Sequence, residues 1–163
     1  MKKQIRGFTI VELLIYTTIL LGLLYIFTSI FTTILDVQLE SETQSAIVQD
    51  SNYIFARLQY DISRASLIQE PGSLGASSST LTLRIQGVDY TYAVDTNGQL
   101  QITTALGSGS LNSFGTSVSN LSFRRYGNVS GKNSVSVSYT LTSTAQRSHG
   151  YETQDFQSTI GLR

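Results

Sequence analysis

The sequence predicts an α+β fold in which a long N-terminal helix, membrane-spanning in its first half, packs its second half on an antiparallel β-sheet. Three features lead there. Residues 8–35 form an apolar run whose one charged side chain is Glu12. Residues 23–67 contain neither Pro nor Gly, so nothing breaks a helix that continues past the end of that run. From Leu74 onward the composition turns to Ser, Thr and Gly, with apolar residues alternating at the period-two spacing of half-buried strands.

The apolar run exceeds the roughly 20 residues that a helix needs to cross a bilayer. An ionised side chain inside such a segment costs about 2.5–3.5 kcal/mol on insertion scales, so Glu12 is expected to have a partner. Beyond Leu35 the pattern becomes amphipathic. Leu39, Thr43, Ile47, Ile54, Leu58, Ile62 and Ala65 recur at spacings of three, four or seven, while Glu40, Glu42, Gln44, Gln49, Asp50 and Gln59 fill the other face. Pro71-Gly72 supplies a stop, and Gly22 is a point of local flexing within the apolar half. Arg57, Asp61 and Arg64 stack at i, i+4 and i+7, which predicts a surface ion-pair ladder, with a subunit contact as the alternative.

In the second half, Leu81, Leu83 and Ile85 alternate with polar residues, and after Gln86-Gly87 the alternation resumes at Val88, Tyr90, Tyr92 and Val94. Asp95-Thr96-Asn97-Gly98 then turns the chain into Leu100 and Ile102, completing a three-strand meander. After a Gly/Ser-rich connection at residues 106–115, further strands are predicted at Leu121 and Phe123, at Val135, Val137, Tyr139 and Leu141, and at Phe156, Ile160 and Leu162. The expectation is about six strands in one sheet, with one face covered by the helix.

Few residues suggest chemistry. Asp95-x-Asn97-Gly98 resembles the start of a calcium loop, but it lacks a distal Glu and lies between strands, so a hairpin turn is expected. Glu152 and Asp155 are the only acids near the C-terminal end, too few to define a metal site. His149 is the single histidine, no serine sits in a Gly-x-Ser-x-Gly elbow, and Gly107-Ser108-Gly109 has no following Lys. No enzymatic activity, cofactor or metal is therefore expected. The basic residues are scattered apart from Arg124-Arg125, which should occupy the two faces of one strand, so no nucleic-acid partner is indicated. Tyr90, Tyr92 and Tyr126 are expected to pack in the sheet with their hydroxyls reaching water.

Met1-Lys2-Lys3-Gln4-Ile5-Arg6-Gly7 is a short basic leader ending in Gly, and Phe8-Thr9-Ile10-Val11-Glu12-Leu13-Leu14 opens the apolar helix. This junction resembles the N-terminus of type IV pilin-like precursors, in which such a leader is followed by Phe-Thr-x-x-Glu. A secretory signal would place a small-x-small cleavage site after the apolar run rather than a Gly before it. A plain signal anchor would explain the basic leader by the positive-inside rule but not Glu12 or the Gly7-Phe8 junction. A lipoprotein would need a cysteine, and the chain has none. The stretch Arg57-Leu58-Gln59-Tyr60-Asp61-Ile62-Ser63-Arg64-Ala65 looks like the helix end of J-type minor pseudopilins and W-type minor pilins. Two features depart from many major pilins: Gly22 stands at a helical turn where they carry Pro, and the C-terminal disulfide is missing.

The resemblance implies a pilin-like fold, cleavage between Gly7 and Phe8 by a prepilin peptidase, N-methylation of Phe8, and polymerisation with the apolar helices in a filament core. It makes Glu12 the assembly residue, expected to pair with the Phe8 amine of an adjacent subunit. The chain then divides into a leader at residues 1–7, a transmembrane or filament-core half-helix at 8–35, and an extracytoplasmic globular domain at 36–163. Loss of Lys2, Lys3 and Arg6 with the leader leaves 8 basic against 11 acidic side chains, a net charge of −3. The expected role is that of a minor pilin or pseudopilin in a type IV pilus-like or type II secretion filament. Its implied partners are the prepilin peptidase, other pilin or pseudopilin subunits, the inner-membrane assembly platform and, before assembly, membrane lipid. The implied location is the inner membrane, with a cytoplasmic N-terminus, and then the pilus or pseudopilus. The alternatives are a major pilin and a membrane-anchored extracytoplasmic binding domain that never polymerises.

Overall fold

The computed structural model describes residues 9–127, 131–147 and 150–163. Among the described residues one helix, α1 (Ile10–Arg64), precedes nine strands: β1 (Leu67–Glu70), β2 (Ser77–Ser78), β3 (Leu81–Ile85), β4 (Val88–Val94), β5 (Leu100–Thr104), β6 (Gly107–Ser110), β7 (Thr116–Tyr126), β8 (Ser134–Arg147) and β9 (Gly150–Gly161). The fold is α+β, as predicted. The chain forms two compact units, Met1–Leu39 and Glu40–Arg163.

In the first unit the described part is helical almost throughout, and none of its residues is buried. Leu, Ile, Val and Phe side chains point outward all round, and the segment is long and apolar enough to cross a membrane. Its polar groups are satisfied locally. Thr17 and Thr18 donate to the Leu14 carbonyl, Thr28 to that of Leu24, and Thr32 and Thr33 to that of Ser29, at 2.8–3.0 Å. Hydroxyls bonded back to their own helix present little unsatisfied polarity to an apolar surrounding.

In the second unit, α1 buries one stripe, Thr43, Ile47, Ser51, Ile54, Leu58, Asp61 and Ile62, in the core. The predicted stripe is recovered at Thr43, Ile47, Ile54, Leu58, Ile62 and Ala65, while Leu39, which falls in the first unit, is half-buried. The strands form two antiparallel sheets, β1-β3-β4-β5-β6 and β2-β7-β8-β9, where one was expected. Period-two alternation identifies strands and their inward faces but says nothing of which strands pair, so the division was not visible in the pattern.

The three-strand meander is β3-β4-β5, with Ile85 opposite Val88 across Gln86-Gly87. Both turn residues have positive φ, 51° and 83°, the geometry that suits a two-residue hairpin. The Gly/Ser connection was expected to be irregular but contains β6, an edge strand against β5. The helix ends at Arg64 instead of running to Pro71-Gly72. The Ser66 N–H and hydroxyl both reach the Arg84 carbonyl at 2.9 Å, and Leu67 and Ile68 pair with β3, so sheet hydrogen bonds capture the chain first. Gly98 joins the sheets. Its carbonyl accepts from Val118 N–H at 2.7 Å, its φ is +76°, and a Cβ there would lie 2.9 Å from that of Ser117.

Candidate functional site

The Gly7-Phe8 junction, the leader at residues 1–7 and His149 lie outside the described residues. What is described of the N-terminal site begins at Thr9. The Glu12 N–H donates to Thr9 Oγ1 at 3.2 Å and the Leu13 N–H to the Thr9 carbonyl at 3.1 Å, so Thr9 is the cap of α1. Glu12 therefore falls in the first helical turn, where the helix dipole favours a carboxylate by about 0.3–1 kcal/mol. One turn further on, the Tyr16 hydroxyl donates to Glu12 Oε1 at 3.3 Å. In the sequence Thr9 stands out only as part of the Phe-Thr-x-x-Glu motif and Tyr16 not at all, although Thr-x-x-Glu is the spacing of a capping box and i, i+4 places Tyr16 beside Glu12. Glu12 is half-buried by this local shell, with Ile10 and Val11 exposed around it. The result is a carboxyl group at the helix start of an otherwise apolar segment, placed to accept an N–H donor from a neighbour.

The Arg57–Asp61–Arg64 set differs from the predicted surface ladder. Asp61 is 1% exposed, its carboxylate accepting from Arg57 Nε at 2.7 Å and from the Tyr92 hydroxyl of β4 in a short hydrogen bond. Arg64 takes no part and instead lies over the Tyr60 ring, 4.5 Å from its centroid. Asp61 faces inward because it belongs to the same helical stripe as Leu58 and Ile62, and the sheet supplies the donor that makes its burial tolerable. Tyr92, expected to reach water, is wholly buried, and burial followed by the Asp61 carboxylate pushes its hydroxyl far above the ordinary phenol range. Tyr139 of β8 makes a parallel contact, 3.2 Å from Ser51 Oγ, and burial pushes it up to about 12. A third tether is Asp50, which takes the Ser113 N–H and hydroxyl at 3.0 and 2.7 Å and the Thr116 hydroxyl at 2.5 Å.

Asp95 acts as a turn residue. Its Oδ1 accepts the N–H groups of Gln99 and Asn97, both at 2.8 Å, and the Gln99 bond above all holds its carboxyl below the usual range. Asp155 accepts from Thr140 Oγ1 at 2.6 Å on the outer face of β8-β9. No three His, Cys, Asp or Glu residues among the described ones come together as a metal site. Arg124 and Arg125 occupy opposite faces of β7, as expected. Arg124 lies over Tyr126, and Arg125 Nη1 donates to the carbonyls of Ile68, Pro71 and Gly72 at 3.0–3.3 Å. That carbonyl clamp was not legible in the sequence, since its acceptors belong to backbone more than 50 residues away.

No family model, no curated protein and no solved structure matches this chain.

Proposed function

We propose that this chain is a non-enzymatic, pilin-like filament subunit, in the manner of a minor pilin or pseudopilin. It would be made as a precursor, cut between Gly7 and Phe8, methylated on Phe8 and assembled through the apolar helix at residues 8–35. The observation that carries the reading is the union of a Gly-Phe-Thr-x-x-Glu junction with a 55-residue helix whose first half is exposed and apolar and whose second half seats a sheet domain. An apolar helix that leaves lipid for a bundle of like helices exchanges one apolar contact for another. Packing, charge pairing and the assembly motor must therefore supply the drive. Glu12 is the natural site for the charge pairing, since cleavage creates an amine at Phe8, and in a low-dielectric core such a pair is stronger than in water.

The Thr9 cap and the Tyr16 hydroxyl favour a second reading. They give Glu12 local partners without any neighbouring subunit, which suits a membrane-anchored domain that never polymerises. N-terminal mass spectrometry of protein from cells carrying a prepilin peptidase separates the two. A mature chain starting at N-methylated Phe8 is expected; recovery of only the unmethylated Met1 form would support the anchor.

A further inference from the structure

Among the described residues four strands stand at sheet edges, and three of them are short: β1 and β6 have four residues each and β2 has two. Short edges offer little backbone to a stray strand. β9 is different. It runs for 12 residues without a proline, and its outer edge has no hydrogen-bonded neighbour among the described residues.

Its polarity can be read from the ladder. The Leu162 N–H donates to the Asn133 carbonyl, so Leu162 faces β8 with its backbone groups. Antiparallel pairs alternate, so Ile160, Ser158, Phe156 and Gln154 also face β8, while Thr153, Asp155, Gln157, Thr159 and Gly161 turn their N–H and C=O outward. Beside this edge lies a groove of about 550 Å³, walled by Ala56, Gln59, Tyr60 and Ser63 of α1 and by Ser158 and Ile160 of β9. Thr159 and Gly161, whose backbone groups turn outward, line it too, so the groove opens at the edge where a fifth strand would add. Charge marks one end of this space. Arg163 lines the groove and Arg64 lies over its Tyr60 wall; neither forms an ion pair among the described residues.

We infer that the outer edge of β9 takes an extended segment of another protein as an added antiparallel strand, with small or β-branched side chains facing the groove and an acidic N-terminal end beside Arg64 and Arg163. Main-chain bonds to residues 153–161 would supply the affinity, and the groove and the two arginines the choice of segment. The inference stands independently of the filament reading, because it concerns only residues 40–163.

The test uses the full chain in detergent micelles and a fluorescent blocked peptide, acetyl-Asp-Val-Thr-Val-Thr-Val-Thr-amide, followed by anisotropy. Saturable binding is expected. It should weaken at least tenfold when Lys replaces the peptide's Asp, and severalfold with Arg64→Gln. It should be abolished by Gln157→Pro with Thr159→Pro, which removes two outward N–H donors and leaves the ladder to β8 intact. Ala56→Met, which fills the groove from an exposed helix position, should also abolish binding and covers the case in which the proline variant misfolds. No binding by the wild type, equal binding of the Lys peptide, or undiminished binding by Ala56→Met would overturn the inference. So would a dimer of the chain itself that disappears with the proline pair, since the edge would then belong to a second copy.

Discussion

Residues 10–39 and 40–64 belong to one helix and solve opposite problems. The first stretch exposes apolar side chains on every side and returns its threonine hydroxyls to its own carbonyls. The second buries a single stripe and sends its polar side chains across to the sheets, Asp50 to Ser113 and Thr116, Ser51 to Tyr139, and Asp61 to Tyr92. The helix is therefore more than a tether. One part leaves its apolar side chains uncovered and is long and apolar enough to cross a membrane, and the other is a structural member of the folded domain.

The comparison breaks most clearly under core truncation. Leu58→Ala should destabilise the domain by about 2–5 kcal/mol, because Leu58 is fully buried and the cavity cannot collapse freely. Leu24→Ala, in the exposed stretch, should leave the same unfolding transition of the full chain in micelles where it was. Urea denaturation followed by circular dichroism measures both, and equal losses would erase the distinction.

A smaller effect is expected at the tether. Asp61→Asn keeps the shape but removes the charge that accepts from Arg57 and Tyr92, at a cost of about 2–3 kcal/mol. Arg64→Gln should cost much less, since Arg64 is exposed and outside the pair. If the two variants lost equal stability, Asp61 would be acting as part of the surface ladder after all.

A third effect is a pH dependence. The folded chain raises the hydroxyl pKa values of Tyr92 and Tyr139, while the unfolded chain releases those protons near the ordinary value of about 10. Stability from these groups is thus fully present below pH 10 and is lost as the pH rises from there through about 12 for Tyr139. Unfolding monitored by tyrosinate absorbance should show this fall, and Tyr139→Phe should make it shallower between pH 10 and about 12 while leaving the part due to Tyr92. A flat profile for the wild type would mean that these rings reach water.

The apolar run, the amphipathic stripe and the β3-β4-β5 meander were legible because each repeats with the period of its element. Ser51 and Asp61 share the buried stripe, but their polarity concealed them: only the long-range partners Tyr139 and Tyr92 make those positions tolerable, and a local pattern cannot show partners. β6 was hidden by its Gly-Ser composition, which reads as a loop until β5 lies beside it. At the N-terminal site, Glu12 was conspicuous as a lone charge and Thr9 as part of its motif, whereas Tyr16 blended into a run where threonine and tyrosine are common.

The chain contains no cysteine, so a single introduced one reports without background. Leu20→Cys, combined with either native Glu12 or Glu12→Val, tests the proposed assembly role of residues 8–35 most directly, by oxidative cross-linking in sheared extracellular fractions and in membranes at matched expression. Cross-links to neighbouring subunits are expected in the sheared fraction with native Glu12. With Glu12→Val strong loss of incorporation is expected, while membrane insertion and cleavage persist. A chain that remains wholly in the membrane fraction, or one whose incorporation is unchanged by Glu12→Val, would contradict the proposed assembly role.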